Sequence, residues 1–270
     1  MSNRPGSDLL SQSGPGRTHS AVSSENFATN LVLNHSYIAL GKTALATSNS
    51  HSYSISVPRT GVAMRDVAEL GLVFAAIIAV LWLPTRQQLI IGPIVLLTPL
   101  ALVLSRRPRL NDLGLGFRGL ISSLWILPAS VALGIVAILV AQNIGTFHPL
   151  YQADLAHVGG YVLWTLYQQF LLQDYFMPRL SRVLSSDAAI AVAALLFAVA
   201  HLPNLSLAVA TLVWGGVSCA LFRRYRNLYV LGLAQGLLGL CFAVCVPDAM
   251  HHHMRVGLGY WRYAARHPHS

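Results

Sequence analysis

The polar side chains that lie inside apolar stretches of this sequence are the first candidates for chemistry. Gln168, Gln169 and Gln173 share one such stretch, and His201 and Gln235 lie in later ones. A primary amide donates and accepts hydrogen bonds but cannot take up a proton, whereas histidine exchanges one near neutral pH. The pattern can therefore orient a water molecule or a carbonyl group and, at His201 alone, transfer a proton.

Each of these positions also has a purely structural interpretation. Gln169 and Gln173 lie four residues apart and share a helix face, where amides hydrogen-bond neighbouring helices inside a membrane. His201 ends its apolar stretch and suits a capping or interfacial role. Gln235 stands beside Gly236, where a second helix can approach closely. The residues alone leave the structural and the chemical interpretations open.

The composition predicts a polytopic membrane protein. Of the 270 residues, 54% are hydrophobic and only 10% are charged, whereas a soluble domain carries roughly 25% charged residues. So few charges cannot cover the surface of a soluble protein. The formal net charge is +9, but the basic residues fall in short gaps between apolar stretches, and no basic stripe with aromatic residues points to nucleic acid.

Seven apolar segments must position the candidate side chains. We expect all of them to be helices, because lipid offers the backbone no hydrogen-bonding partners. The segments are 67–84, 88–105, 120–142, 159–180, 188–202, 205–222 and 228–246. Basic residues are concentrated in alternate loops, which predicts a cytoplasmic N-terminus. The fold class is therefore an all-α transmembrane helix bundle of about seven spans, or eight if the tail contributes one.

The chain divides into four parts by composition. We predict a disordered polar arm over 1–63, with Met64 as an alternative start, and a two-span hairpin with a basic loop over 64–119. A membrane core follows over 120–246, and a tail rich in His, Arg and aromatic residues over 247–270. The three consecutive histidines of the tail are interpreted as part of an exposed polar segment. An eighth re-entrant or interfacial element would explain why this tail carries arginines on the non-cytoplasmic side.

The candidate motifs have an order and spacing that resemble the CAAX protease and bacteriocin-processing family of intramembrane endopeptidases, also called the abortive-infection family. That family carries Glu-Glu-x-x-x-Arg on one span, Phe-x-x-x-His on the next and a His two spans later. The corresponding positions here are Gln168, Gln169 and Gln173, then Phe197 and His201, then Gln235. The stretches 112–115, 173–180 and 226–228 also look like the family, so the resemblance covers roughly 110–246.

This resemblance implies a conical cavity lined by the motif residues, in the plasma membrane of a bacterium. It implies that His201, Gln168, Gln169, Gln173 and Gln235 form the catalytic set. Phe197 and Asn204 would bind the substrate. The implied partners are membrane lipid and a hydrophobic or lipidated peptide, with no nucleic acid. We expect no cofactor, and no metal, since glutamine is a poor ligand for zinc.

The departures from the family pattern leave two functions open. The family's first Glu is thought to activate water, but an amide cannot act as that base. Loss of both carboxylates together with the Arg leaves a neutral set that avoids an unpaired intramembrane charge. The chain is therefore either an endopeptidase acting on membrane-associated peptides or C-terminal signals, or an inactive relative that binds such a peptide or scaffolds a complex. Asp174, the only acid well inside the apolar segments of the core, is interpreted as paired with Arg179.

Overall fold

The computed structural model describes residues 60–117, 119–150 and 154–266. Most of the predicted polar arm lies outside these ranges. Within them the chain is helical and has no strand, as the sequence predicts. The helices are α1 (Thr60–Leu81), α2 (Thr85–Leu104), α3 (Leu120–Ser123), α4 (Ile126–Asn143), α5 (Leu155–Phe170), the π-helical segment (Leu171–Phe176), α6 (Met177–Leu180), α7 (Ser186–Val199), α8 (Leu205–Tyr225), α9 (Leu228–Cys245), α10 (Asp248–His251) and α11 (Gly257–Arg266).

Four helical stretches are long and apolar enough to cross a membrane. They are α2, the Leu120–Asn143 stretch that contains α3 and α4, α8 and α9. Helix α7 is apolar but has only 14 residues, and the segment predicted over 159–180 is divided by the π-helical turn. These four stretches support an integral membrane protein.

Side-chain caps define where the helices around the candidate residues begin. The Asp154 carboxylate accepts the first free N–H groups of α5, and the Asn204 and Asn227 side chains do the same for α8 and α9. Such caps satisfy backbone donors that the helix itself leaves unpaired. Residues 201–204 form a tight turn between α7 and α8, since the N–H of Asn204 donates to the carbonyl of His201 at 3.1 Å.

Helices α5 and α9 approach each other closely at glycine. A Cβ atom on Gly232 would lie 2.3 Å from Cδ2 of Leu166, so only glycine fits there. The hydroxyl of Thr165 donates to the carbonyl of Gly232 at 2.9 Å across the same contact. The close approach predicted from the small residues around Gln235 is therefore confirmed.

An ion-pair cluster ties α1 to the segment that follows the π-helical turn. Arg179 donates through Nε to Oε1 of Glu69 at 3.1 Å. Asp66 accepts from Arg106 at 3.1 Å and also from Arg182. Because Arg179 is only 2% exposed, its charge depends on this carboxylate partner. The cluster holds α1 against the end of the segment that carries the glutamines.

The C-terminal tail is docked onto the helix bundle, so the prediction of an exposed tail is wrong. The Asn204 amide donates to the carbonyls of His251 and Arg255 at 2.7 and 3.1 Å. The N–H of Gly257 donates to the carbonyl of Leu202 at 2.9 Å. His251 is only 2% exposed. Backbone carbonyls that meet a buried amide hold the tail in place, which the histidine run itself does not reveal.

The tail also supplies the additional helical element that the sequence suggests. Helix α11 carries polar and aromatic residues on different faces, and Nη1 of Arg262 donates to Oγ1 of Thr85 at 3.3 Å. A Cβ atom on Gly257, at the start of this helix, would lie 2.2 Å from the carbonyl oxygen of Leu81. Helix α11 thus packs on the loop end of the α1–α2 hairpin, and its depth in the membrane remains a prediction.

The docked tail holds His251 in its neutral form. Nδ1 of His251 accepts the N–H of Met254 at 3.1 Å, which a proton on that nitrogen would prevent. Burial lowers the pKa of His251, Asp248 opposes this effect, and His148 and His253 reinforce it. The pKa of Asp248 is itself low: burial would raise it, but hydrogen bonds from the Tyr263 hydroxyl and the His253 N–H outweigh burial.

We expect tail docking to weaken as the pH falls from about 7 to about 5. The undocked His251 titrates near its ordinary pKa of about 6.5, whereas the docked ring resists protonation, so acid favours the undocked state. Asp248 stays ionised throughout this pH window, so it does not contribute to the pH dependence of tail docking. Protection factors of residues 247–266, obtained from hydrogen exchange in detergent across this range, measure the effect.

The control for this pH dependence is His251→Asn, because the asparagine Oδ1 lies where Nδ1 does and can accept the Met254 N–H without titrating. The protection factors of its tail amides, which are corrected for the slower intrinsic exchange in acid, should be nearly constant between about pH 7 and pH 5. A wild-type tail that is equally protected at both ends of this range would contradict the expectation.

Candidate functional site

The π-helical segment and its neighbours position the four candidate glutamines. Helix α5 carries Gln168 and Gln169 near its end, the π-helical segment Leu171–Phe176 carries Gln173, and α9 carries Gln235. All six residues of the π-helical segment are buried. Wide turns of this kind often mark functional sites, because they reorient side chains within an otherwise regular helix.

The four glutamines form one hydrogen-bonded network. Nε2 of Gln235 donates to Oε1 of Gln168 at 2.6 Å, and Nε2 of Gln169 donates to Oε1 of Gln235 at 2.6 Å. Nε2 of Gln173 in turn donates to Oε1 of Gln169 at 3.1 Å. Gln169 is 0% exposed and Gln173 is 2% exposed. The structure therefore brings together four predicted site residues from two helices and the π-helical segment.

Helix α8 adds two members that the sequence analysis missed. The indole N–H of Trp214 donates to Oε1 of Gln235 at 3.1 Å, and Nε2 of Gln173 donates to the Ser218 hydroxyl at 3.4 Å. Thr211, Trp214 and Ser218 are spaced by three and four residues and so share one helix face. That polar stripe in an apolar helix is the signal that could have found them.

A largely apolar cavity of about 770 Å³ lies beside the network. Gln168, His201 and Gln235 are its polar lining, together with Ser130, Thr211 and the polar edges of Trp and Tyr side chains. No Asp, Glu, Lys or Arg among the described residues lines it. Its volume lies in the range of small-molecule and peptide side-chain pockets. The cavity can therefore hold an apolar chain and offer a few neutral hydrogen bonds.

His201 lines the cavity in one defined tautomer. Nδ1 lies 2.7 Å from the carbonyl oxygen of Phe197, which can only accept a hydrogen bond. Nδ1 must therefore carry the hydrogen, and in the neutral ring Nε2 is left as an acceptor. The ring also meets the Phe197 ring edge to face at 4.9 Å. The predicted pair Phe197 and His201 is thus in direct contact, through this hydrogen bond and through the two rings. His201 makes no hydrogen bond to the glutamines.

Asn204 occupies a different place from the one expected of a substrate-binding residue. It is fully buried and does not line the cavity. Its amide nitrogen holds the tail carbonyls, and its oxygen accepts from the N–H of Leu207 and the hydroxyl of Ser206. A role for Asn204 in substrate binding stays a prediction, but these atoms support the tail and the start of α8.

The interpretation of Asp174 as the partner of Arg179 is wrong. Arg179 instead pairs with Glu69 and donates to the carbonyl of Tyr175 at 2.9 Å. Asp174 is 7% exposed, and its Oδ2 atom has no hydrogen-bond partner among the described residues. The carboxylate that pairs with Arg179 comes from α1, 110 residues away along the chain, and spacing within one segment could not reveal that partner.

Most polar side chains of the site can form hydrogen bonds, but very few of them can transfer a proton. An amide can orient water or a carbonyl, but among the described residues that line the cavity only His201, through Nε2, can accept a proton. Within residues 60–117, 119–150 and 154–266, no group of three His, Cys, Asp or Glu side chains is placed to hold a metal ion. The chemistry of the site thus depends on neutral polar groups in an apolar surrounding.

A comparison with protein families identifies the class of this core. Residues 155–241 match the family described as Rce1-like, type II CAAX prenyl endopeptidase Rce1-like. This match confirms the resemblance drawn from the motifs. The matched stretch contains all four glutamines and His201, and it leaves out α1 to α4 and the docked tail. No curated protein and no solved structure matches the chain.

Proposed function

We propose that this protein is a membrane-bound member of the CAAX endopeptidase type that binds a hydrophobic or lipidated peptide without cleaving it. One observation carries the proposal: the motif residues beside the cavity form a neutral amide network in which each glutamine has a hydrogen-bond partner. Hydrolysis needs a base to activate water, and the amides cannot supply one. Binding needs only the apolar cavity and its few hydrogen-bonding groups.

The proposal includes the topology expected from the sequence. Seven segments cross the bacterial plasma membrane with the N-terminus in the cytoplasm, and the 120–246 core encloses the peptide site. The four long apolar helices support the lipid environment. The hairpin of 64–119 packs on this core through the ion pairs of Asp66 with Arg182 and of Glu69 with Arg179.

A specific observation favours a second function, an endopeptidase that uses His201 as its base. Its Nδ1–H is held by the Phe197 carbonyl, and the acceptor Nε2 belongs to a ring that lines the cavity. An imidazole oriented in this way can take a proton from water near neutral pH. Gln168 and Gln235 would then position the peptide carbonyl.

Terminal-peptide proteomics separates the two functions. We expect membranes from cells with the native protein, with His201→Ala, or with neither to contain the same protein termini. New termini that appear only with the native protein would overturn the binding proposal and establish the endopeptidase. The variant must remain folded and abundant, as judged by size-exclusion chromatography and thermal melting in detergent.

Photo-crosslinking tests the binding itself. A photoreactive residue at Val213, which lines the cavity, should form peptide adducts that mass spectrometry identifies. The matched control is Leu139 on α4, which is exposed to a similar degree but does not line the cavity. Equal adducts at both positions, or none at Val213, would contradict a peptide site in the cavity.

A further inference from the structure

The orientation of every amide in the network follows from one indole. Trp214 Nε1 can only donate a hydrogen bond, so the atom of Gln235 that it contacts must be the oxygen. The other end of Gln235 is therefore the nitrogen, which donates to Gln168. The contact atom of Gln168 must then be its oxygen. The two possible orientations of each amide are thus reduced to one by its neighbours.

This chain of donors ends with a free donor at the cavity. Because the Gln168 oxygen is occupied by Gln235, the amino group of Gln168 is the end that remains, and it has no hydrogen-bond partner among the described residues. Gln168 is half-buried and lines the cavity, whereas Gln169 is fully buried behind it. The cavity lining therefore includes an N–H donor at a defined residue.

The same reasoning places a free acceptor in the cavity lining. His201 donates from Nδ1 to the carbonyl of Phe197, so its Nε2 atom has a lone pair and no partner within the described part of the chain. Gln168 and His201 come from different helices but line one cavity. A ligand that satisfies both must accept a hydrogen bond and donate one.

The surroundings of this donor and acceptor disfavour a charged ligand group. Among the described residues, no charged side chain lines the cavity to pair with such a group, and the network behind it is neutral. Moving a carboxylate or an ammonium group from water into such a site carries a large desolvation penalty. A carboxylate could accept a hydrogen bond from Gln168 but has no hydrogen to donate to His201. An ammonium group could donate to His201 but has no lone pair to accept from Gln168.

We propose that the cavity selects an apolar peptide through an uncharged carboxamide, either an internal peptide bond or an amidated C-terminus, and discriminates against a free C-terminal carboxylate. The carboxamide oxygen accepts from Gln168 Nε2, and its N–H donates to His201 Nε2. This inference rests on the proposed function, because it assumes that the cavity is the peptide site. It adds the chemical group that is recognised and the residues that recognise it.

The test uses three lipopeptides with the same dibrominated acyl chain and apolar dipeptide. They differ only in their terminal group, which is a carboxamide, a carboxylate or an aminomethyl group. Trp125, Trp164 and Trp214 line the cavity, so a bound brominated chain quenches their fluorescence. The full-length protein is placed in nanodiscs near pH 7, and each affinity is expressed relative to the probe concentration in the lipid phase.

We expect the carboxamide probe to bind about ten-fold more tightly than either charged probe. Gln168→Leu should remove this preference, because it deletes the free donor. Gln168→Glu should instead favour the aminomethyl probe, since it places a negative charge at the recognised position. The matched control is Gln142→Leu on the exposed surface of α4, which should behave as the native protein does.

The outcomes distinguish this inference from the proposed function. Equal affinity for carboxamide and carboxylate probes in the native protein would overturn the selectivity and leave the binding cavity intact. A preference that survives in both Gln168 variants would overturn the role of Gln168. No quenching by any of the three probes would overturn the cavity as a peptide site and the selectivity with it. Melting curves of each variant verify that it is folded.

Discussion

Replacing Gln169 by glutamate should lower the free energy of unfolding by about 3–4 kcal/mol near pH 7. Nε2 of Gln169 donates to Gln235, and Oε1 accepts from Gln173, both in a fully buried position. Only a protonated carboxyl group can donate to Gln235 while it accepts from Gln173. Protonating a glutamate of ordinary pKa, about 4.3, at neutral pH accounts for the expected loss.

The pH dependence of Gln169→Glu identifies its cause. The folded variant binds a proton that the unfolded chain releases above about pH 4.3, so its stability relative to wild type should recover as the pH falls. We expect a loss below about 1 kcal/mol near pH 4.5, measured by unfolding in detergent. The exposed Gln142→Glu is the control and should show little change at either pH. An equal loss for Gln169→Glu at both pH values would indicate a packing effect instead.

A second substitution tests why glutamine stands at position 173. Gln173→Arg alone buries a cation without a carboxylate, and we expect it to be strongly destabilising. When Gln173→Arg is combined with Gln169→Glu, stability should recover. At neutral pH the double variant should be about 2 kcal/mol more stable than the sum of the two single losses predicts. Additive losses in the double variant would contradict the idea that the carboxylates and the arginine of the family pattern were lost together.

Replacing Arg179 by methionine should cost about 3–5 kcal/mol. Arg179 is almost fully buried, pairs with Glu69, donates to the Tyr175 carbonyl and stacks on the Tyr175 ring at 3.7 Å. Methionine fills a similar volume but leaves the Glu69 carboxylate without its closest cation. The remaining partner of Glu69 is Arg106 at 3.3 Å, which is partly exposed and compensates incompletely.

The unfolding midpoint in detergent measures the Arg179→Met effect against two references. Arg223→Met removes an exposed ion pair with Asp187 and should change stability by no more than about 0.5 kcal/mol. The double variant Glu69→Leu with Arg179→Met should be more stable than Arg179→Met alone, because no unpaired carboxylate remains. A double variant that is no better than the single one would show that the ring contact, and not the ion pair, dominates.

Much of the candidate site follows from residue type and spacing. A glutamine, a histidine or a tryptophan inside an apolar helix must find a partner, and these residues recur at intervals that place them on inward faces. That reasoning located Gln168, Gln169, Gln173, His201 and Gln235, and all of them lie in the network or line the cavity. Their roles as a catalytic set remain a prediction, because geometry alone does not test turnover.

The amide orientations could not be predicted, because they depend on contacts between segments far apart in the chain. Trp214 is 21 residues from Gln235, and Gln168 is 67 residues from it. Each amide has two nearly equivalent orientations until a neighbour that can only donate removes one. The free donor at Gln168 is therefore a property of the assembled helices.

Sequence by itself determined that this chain is helical, apolar and built around a neutral polar set, because composition and periodicity act locally and lipid imposes helices. Only the tertiary structure determined which contacts form where α1 and the tail meet the core. Arg179 pairs with Glu69 of α1, Oδ2 of Asp174 has no hydrogen-bond partner among the described residues, and the buried Asn204 amide holds the tail. Both contacts arise from long-range ion pairing and hydrogen bonding, which residue spacing in a regular helix does not encode.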